Sequence, residues 1–377
     1  MWSLRPLVRL IRCFSWFTLL ALAAGVLWTA KQGFDFWLFL KTPGSPSTAT
    51  PTLFIRPGMT APAIARLLAR AGVVADSRRF YWLCLLGGAD KQLQSGEYAL
   101  PTLLTPIQVL DRLRRGDVVQ HRVTFPEGCT MYTVAKLLDE AGLGKEEEIL
   151  RLSTDTGFIR ALDLSAPSLE GYLFPDTYHF QRTQDGQAIL RSMVKHFRLR
   201  FPGDGEARAR AFGLSVHQMV TLASLVEKEA QADDERPLIA GVFMNRLARG
   251  MLLQSDPTAV YDLPGFSGRI TAAHLLRPSA YNTYLNAGLP PGPICNPGSK
   301  SLQAALHPAD IPYLYFVSKG DGTHAFSRSL AEHHAAVRQY LQAMKADAPK
   351  QPTVAQGDQP SAPVWSSTGA ASAGEMD

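Results

Sequence analysis

The sequence predicts an α+β chain carried on one N-terminal transmembrane helix, and three observations lead there. A stretch without charge, Cys13 to Ala30, follows three arginines. A strand–turn–helix pattern then recurs at an offset of 70 residues. Beyond it, helical periodicity alternates with Gly/Pro-rich loops and short apolar runs, without the regular strand–helix alternation of a parallel sheet.

The uncharged stretch holds 18 residues. At about 1.5 Å each it spans roughly 27 Å, a little short of the ~30 Å hydrocarbon layer. Arg12 and Lys31 can snorkel, and Trp16 and Trp28 stand near the ends. Arg5, Arg9 and Arg12 place residues 1–12 in the cytoplasm and everything after the span outside it. Ala21-Leu22-Ala23 has the form of a signal-peptide cleavage site, but the apolar run continues past it, so an uncleaved anchor at 13–30 is expected. Those three arginines and Lys31 supply four of the five net positive charges. The rest of the chain is close to neutral, which argues against nucleic acid as a partner.

Outside the span, Cys84, Cys129 and Cys295 are odd in number, far apart, and without zinc spacing. They are expected as buried small hydrophobes. His307, His324, His333 and His334 form no HExxH arrangement, so neither a metal nor another cofactor is expected.

Residues 31–51 form the connection off the membrane, with Thr42-Pro-Gly-Ser-Pro-Ser-Thr-Ala-Thr-Pro51 as its stiff part. The repeat follows. Gly58-Met59-Thr60, Ile64-Ala65-Arg66-Leu67-Leu68 and Ala71-Gly72 align with Gly128-Cys129-Thr130, Val134-Ala135-Lys136-Leu137-Leu138 and Ala141-Gly142. In each copy a short strand (Leu53–Ile55, Val123–Phe125) meets a turn, a threonine can cap a helix, and a glycine ends it. A third, partial copy runs from Thr105-Pro106-Ile107 to Gly116, after a turn at Gly96-Glu97-Tyr98. Units of this size resemble the LysM-like α/β module of peptidoglycan-binding proteins, here residues 52–118; the plainer reading is a spacer without ligand. Residues 119–346 form a larger α+β domain, with helices expected at His217–Ala230, Asp234–Arg249 and Leu330–Met344 and strands at Leu314–Val317 and Thr323–Phe326. Residues 347–377, rich in Pro, Ser, Ala, Gly and Gln, are expected to be disordered.

The stretch Leu222-Ala-Ser-Leu-Val-Glu-Lys-Glu-Ala230 carries the most chemical information. At about 100° per residue, Met219, Leu222, Ala223, Val226 and Ala230 share one helix face. Glu229 falls at one boundary, between Leu222 and Leu225, and Glu227 at the other, beside Val220 and Ala223. Two carboxylates on opposite flanks cannot act as a pair. A carboxyl against leucines keeps its proton near neutral pH, as a general acid must. Geometry favours Glu229, and the bland alternative is a solvated or ion-paired glutamate, for example with Arg236. Downstream, Gln254-Ser-Asp-Pro-Thr258, Tyr281-Asn-Thr-Tyr284 and Gly288 to Gly298, which includes Asn296, gather amides, hydroxyls and aromatic rings in rigid loops. That mixture suits neutral sugars. Gln254, Asp256, Thr258, Tyr281, Asn282 and Asn296 are the candidate substrate contacts.

At these residues the chain resembles the endolytic murein transglycosylase, or YceG-like, family. The likeness rests on Glu170-Gly-Tyr-Leu-Phe-Pro-Asp-Thr-Tyr178, Ala223-Ser-Leu-Val-Glu-Lys-Glu229, Gln254 to Thr258, Tyr281 to Tyr284, and His307-Pro-Ala309 with Tyr313 to Val317, in the family's order. The resemblance implies a lyase that cuts the MurNAc–GlcNAc β-1,4 bond within nascent peptidoglycan strands and leaves 1,6-anhydro-MurNAc ends. It also implies the inner membrane as location, with the catalytic domain in the periplasm and peptidoglycan synthases as partners. Glu229, the last residue of the Glu-Lys-Glu motif, would be the catalytic acid. Lytic transglycosylases more widely follow that glutamate with Ser or Thr, where this chain has Ala230. Two rivals remain at this level: a two-carboxylate hydrolase using Asp256 or Glu170, and a non-catalytic peptidoglycan-binding scaffold.

Overall fold

The computed structural model describes residues 5–347, so the expected disordered tail lies almost wholly outside the described residues, as do residues 1–4. The N-terminal helix α1 (Arg5–Lys41) is 37 residues long and runs well past the expected end of the span at Ala30. Within it, Trp16–Lys41 is long and apolar enough to cross a membrane. Its last turns pack on the rest of the chain. Phe39 is 5 % exposed and joins Phe36 and Leu40 against the first of two hydrophobic cores. The segment after α1 is pinned as well: Ser45 N donates to Thr102 O, Thr102 N to Ala49 O, and Thr102 Oγ1 to Ser47 O at 2.6 Å.

The first core is built by β1 (Thr52–Ile55), α2 (Ala61–Arg70), α3 (Ser77–Leu86), β2 (Gly96–Ala99) and α4 (Pro106–Arg115). β1 and β2 pair antiparallel, Leu53 opposite Tyr98, so their inward residues meet Ile64, Leu68, Phe80, Val109 and Leu113. Gly96-Glu97-Tyr98, read from sequence as a turn, is therefore a strand. Its alternation was too short to show, and the pairing with β1 extends the backbone. The partial third copy has no strand of its own. It is helix α4, started by a capping box between Thr105 and Gln108.

The second unit repeats that order. β3 (His121–Thr124), α5 (Met131–Glu140), α6 (Glu146–Thr154), the short α7 (Thr156–Ala161) and β4 (Thr177–Phe180) lead up one strand, through helices, and back antiparallel. The shared glycines explain the shared geometry. Gly58 and Gly128 turn the chain at φ 79° and 73°, and Gly72 and Gly142 end α2 and α5 at φ 71° and 67°, a conformation costly for other residues. Thr130 caps α5 through Thr133 N, whereas Thr60 occupies the same position without its side chain accepting a cap bond.

Onto this unit pack α8 (Gly186–Arg200), α9 (Gly205–Ala211), α10 (Val216–Glu229), α11 (Arg236–Ala248), the single turn α12 (Ala272–Leu275) and α13 (Ser299–Leu306), then the hairpin β5–β6 (Tyr315–Ser318, His324–Ser327) and α14 (Leu330–Asp347). α10 is the axis of the second core. Every residue from Met219 to Val226 is buried, because α9, α11 and α13 surround the helix. Thr221 and Ser224, which fall opposite the Met219–Leu222–Val226 face at about 100° per residue, are thus interior. Their hydroxyls donate to His217 O and Thr221 O at 2.8 and 2.7 Å, which satisfies them without water.

The two units meet at Glu97. From β2 it reaches His121 Nε2 at 2.6 Å and Arg182 Nη1 at 3.1 Å, while Val119 N donates to its carbonyl. Glu97→Ala removes the buried partner of both groups and should loosen the junction. The expected result in calorimetry is a single melting transition splitting into two, with the earlier one belonging to the first unit. An unchanged single transition would show that apolar contact alone couples the units.

Candidate active site

Glu229 ends α10, and Ala230 beyond it is extended (φ −77°, ψ 125°), so the acid stands where a buried helix reaches the surface. Its Oε1 accepts a hydrogen bond from Ser255 Oγ at 2.5 Å. Burial pushes its carboxyl up to about 7, against the Ser255 hydroxyl and the Arg246 guanidinium, which favour the anion; Asp256 adds to the rise. Such a carboxyl is protonated through much of the neutral range and can still lose its proton.

Glu227 has the opposite fate. Its side chain is buried, 3.3 Å from Arg236 Nη1, and accepts from Gly298 N at 3.0 Å. Arg236, offered above as a bland partner for Glu229, is held by Glu227, by Asp233 at 3.1 Å and by Ser301. The roughly 200° between the two glutamates on the helix thus sends one into an ion-pair network and the other to a half-buried position against Ser255.

The Gln254–Thr258 segment closes over Glu229. Gln254 adopts φ 51°, a left-handed turn that costs about 1 kcal/mol for a residue with a Cβ. It is held by Gln254 N to Thr283 O and by Arg246 Nη1 to Gln254 Oε1 at 3.4 Å. The turn buries Ser255 against Glu229 and leaves Gln254 and Asp256 exposed on either side. Ser255 is fixed by its N–H to Thr283 Oγ1 at 3.0 Å, and its carbonyl accepts from Thr258 Oγ1. Ala230 carries no hydroxyl, and the one that reaches Glu229 comes from another loop.

The predicted contacts divide in two. Gln254 and Asp256 are exposed, and Tyr281 is half-buried with its ring 4.7 Å from that of Tyr261. Asp256 also accepts from the Tyr284 hydroxyl. Thr258, Asn282 and Asn296 are buried, and their polar atoms are spent on protein. Asn282 Nδ2 holds the carbonyls of Leu275 and Arg277. Asn296 Oδ1 accepts from Gly171 N and Leu173 N, both at 2.9 Å, while its Nδ2 donates to Cys129 O and Glu170 Oε1.

Glu170, at 1 % exposed, is the hub of that framework. It accepts from Met131 N at the start of α5, from Asn296, and from Tyr261 at 2.8 Å. Burial still pushes its carboxyl up to about 7. With its oxygens enclosed by protein donors it is a structural acid and cannot reach a sugar. Cys84, Cys129 and Cys295 are buried free thiols, as expected from their spacing.

Two residues of the site escaped the sequence reading. Ser255 lay between two selected neighbours, but nothing local shows that a strained Gln254 turns it inward. Arg246 did carry a signal. It follows Ile239 and Phe243 on the core face of α11, where a cation needs a purpose. It binds the carbonyls of Leu314 and Leu253 at 2.7 and 2.9 Å and lies over Tyr315.

Two measurements follow from these networks. Asn296→Ala strips partners from several buried groups, at about 1–3 kcal/mol each. Urea melts should show a loss of roughly 3 kcal/mol or more. For Glu229, a folded-state value raised to about 7 from 4.5 means that folding binds its proton more tightly. Its contribution to stability is complete below about 4.5 and is lost as pH rises through about 7. Glu229→Gln, which cannot ionise, should therefore melt higher than the parent at pH 8, with the gap closing at pH 4. A gap independent of pH would contradict the raised value.

Comparison with known proteins identifies the family. Residues 53–339 match the family model described as the YceG-like family. A protein of Bacillus subtilis (strain 168) named endolytic murein transglycosylase is 33 % identical over 312 residues, covering 78 % of this chain and 86 % of that one. One of the same name from Streptococcus pneumoniae (strain R6) is 28 % identical over 326 residues, covering 77 % of this chain and 58 % of that longer one. The 2.6 Å crystal structure of a yceG-like protein from Listeria monocytogenes superposes with a TM-score of 0.53 at 32 % identity, over 77 % of this chain and 99 % of that one. The family match spans both units and every residue discussed at the site, and the chain belongs to the YceG-like family.

Proposed function

We propose that this chain is a membrane-anchored endolytic lytic transglycosylase that cleaves the MurNAc–GlcNAc β-1,4 bond within nascent peptidoglycan and so ends strand elongation. In this reading residues 13–30 cross the inner membrane with the N-terminus in the cytoplasm, residues 52–118 form a LysM-like module, and residues 119–346 carry the chemistry in the periplasm. The relatives' name supports the substrate and the reaction type. The observation that carries the mechanism is the Glu229 carboxyl: poised near neutral pH, touched by one hydroxyl, at the end of a buried helix.

One carboxyl is enough for such a reaction. Protonated Glu229 gives its proton to the glycosidic oxygen as the C1–O4 bond breaks. The C6 hydroxyl of the same MurNAc attacks C1, and its proton returns to the Glu229 carboxylate as the 1,6-anhydro ring closes. No water is consumed and the acid is regenerated. Ser255 holds the carboxyl in one rotamer and eases its anionic form between the two proton transfers. Gln254, Asp256 and Tyr281 are the proposed sugar contacts, while Thr258, Asn282 and Asn296 serve them by holding the loops. Glu170 cannot supply a second carboxylate, since protein encloses it. Asp256 is the remaining candidate for a hydrolytic pair, and that pair would yield reducing ends.

The test compares Glu229→Gln with Glu227→Gln on purified glycan strands, read by mass spectrometry. Glu229→Gln should lose anhydro-muropeptide formation by about 10²–10⁴-fold while remaining folded. Glu227→Gln weakens the clasp on Arg236 and should lose roughly 2–3 kcal/mol of stability, yet cut normally per folded molecule. Parental activity should fall above about pH 7, where Glu229 ionises. Full activity of Glu229→Gln beside an inactive, folded Glu227→Gln would move the acid to Glu227, and a parent protein that forms no anhydro ends would leave a peptidoglycan-binding scaffold. Reducing ends in place of anhydro ends would point to Asp256 and a hydrolase.

A further inference from the structure

Helix α3 has an apolar face turned outward. Phe80 and Cys84 face the first core. At about 100° per residue, Trp82, Leu85 and Leu86 fall on the opposite side. All three are exposed, Trp82 by 58 % and Leu86 by 73 %. No charged residue occurs from Phe80 to Ala89. A surface helix normally turns its polar side to water, and a cluster like this marks a contact.

The position of α3 indicates what that contact is. Arg79, one and two turns before Trp82 and Leu86 on the same flank, lies 3.9 Å from Asp35 of α1. At that level α1 itself presents Phe34, Trp37 and Leu38 outward, with Phe34 stacked on Trp37 and Lys41 over the Trp37 ring at 4.2 Å. Aromatic rings beside a cation at the end of an apolar helix are the pattern of a membrane–water interface. The ion pair sets the flank of α3 that carries Trp82 and Leu86 beside Asp35, in the same stretch of α1 as those rings.

We propose that α3 lies in the interfacial layer of the bilayer that α1 crosses, with Trp82, Leu85 and Leu86 in contact with lipid. The first unit is then a second, peripheral membrane contact as well as a spacer. The outer face of α3 is closed to glycan, and the unit has one fixed side toward the membrane. This rests on the anchor reading of α1.

The test uses the full-length protein in phosphatidylcholine–phosphatidylglycerol vesicles with a bimane label on Leu86→Cys, Val26→Cys or Leu199→Cys, the unsubstituted protein giving the background. Leu199, 75 % exposed on α8, controls for a label that drives its own insertion. The Leu86 label should lose most of its fluorescence to lipids spin-labelled just below the headgroup and resist iodide. The Leu199 label should do the reverse, and the Val26 label should answer to deeper spin labels. Adding Trp82→Gln and Leu85→Gln, both at exposed positions, should return the Leu86 label to water and leave Val26 in lipid. A Val26 label in lipid with a Leu86 label open to iodide overturns the proposal and spares the anchor. A Leu86 label shielded from both quenchers means that protein covers α3, and overturns it too. A Val26 label open to iodide defeats the anchor reading and this proposal with it.

Discussion

Everything chemical in this structure depends on α10 being buried on all sides up to its last turn. A helix enclosed from Met219 to Val226 has little freedom to rotate or slide, so its final residues are fixed in direction. The same enclosure is the main cause that lifts the carboxyl at its end toward neutrality, with the Asp256 charge adding to it. A surface helix with the same Glu-Lys-Glu sequence would leave both acids solvated and ionised.

The buried polar groups are arranged to hold that helix and the loops around it. Asn296 ties the loop after Pro291 to the Glu170–Leu173 turn and, through Cys129 O, to the start of α5. Gly171 takes part by having no Cβ, since one would collide with the Pro293 ring and with Val220 of α10. Glu170 and Glu229 have carboxyls raised alike, both by burial, yet differ in access. A raised carboxyl is therefore not evidence of catalysis by itself. What distinguishes Glu229 is the half-open position and the exposed residues around it.

Much of this was legible in the sequence. The 3.6-residue pattern located α10, α11 and α14 to within a few residues, and the flanks of α10 separated Glu227 from Glu229. The 70-residue repeat was visible in its first half only, because glycine positions and the apolar face of α2 and α5 constrain identity there. Its second half, α3 to β2 and α6 to β4, keeps the order but not the residues, and the second copy carries an added stretch before β4. Polar loops mislead in a different way. Thr258, Asn282 and Asn296 have the composition of sugar contacts, yet composition does not tell whether an amide faces a ligand or its own backbone. That depends on contacts across as many as 167 residues, as between Asn296 and Cys129.

The connection between α1 and Glu229 bears on where, in the proposed function, a strand would be cut. A Pro/Ser/Thr-rich segment after the span reads as a free tether. Here α1 instead continues to Lys41 and buries Phe39 in the first core, residues 45–49 are bonded to Thr102, and Glu97 clasps the second unit. Among the described residues, no long unbonded stretch intervenes between α1 and the acid. If α1 is anchored as proposed, the reach of Glu229 above the bilayer is set by two packed units and varies little. An acid held at one height meets strands that emerge at that height, whereas one on a loose tether would sample the mature wall as well. Action on nascent rather than finished strands would then follow from packing, with no need for the site itself to distinguish the two.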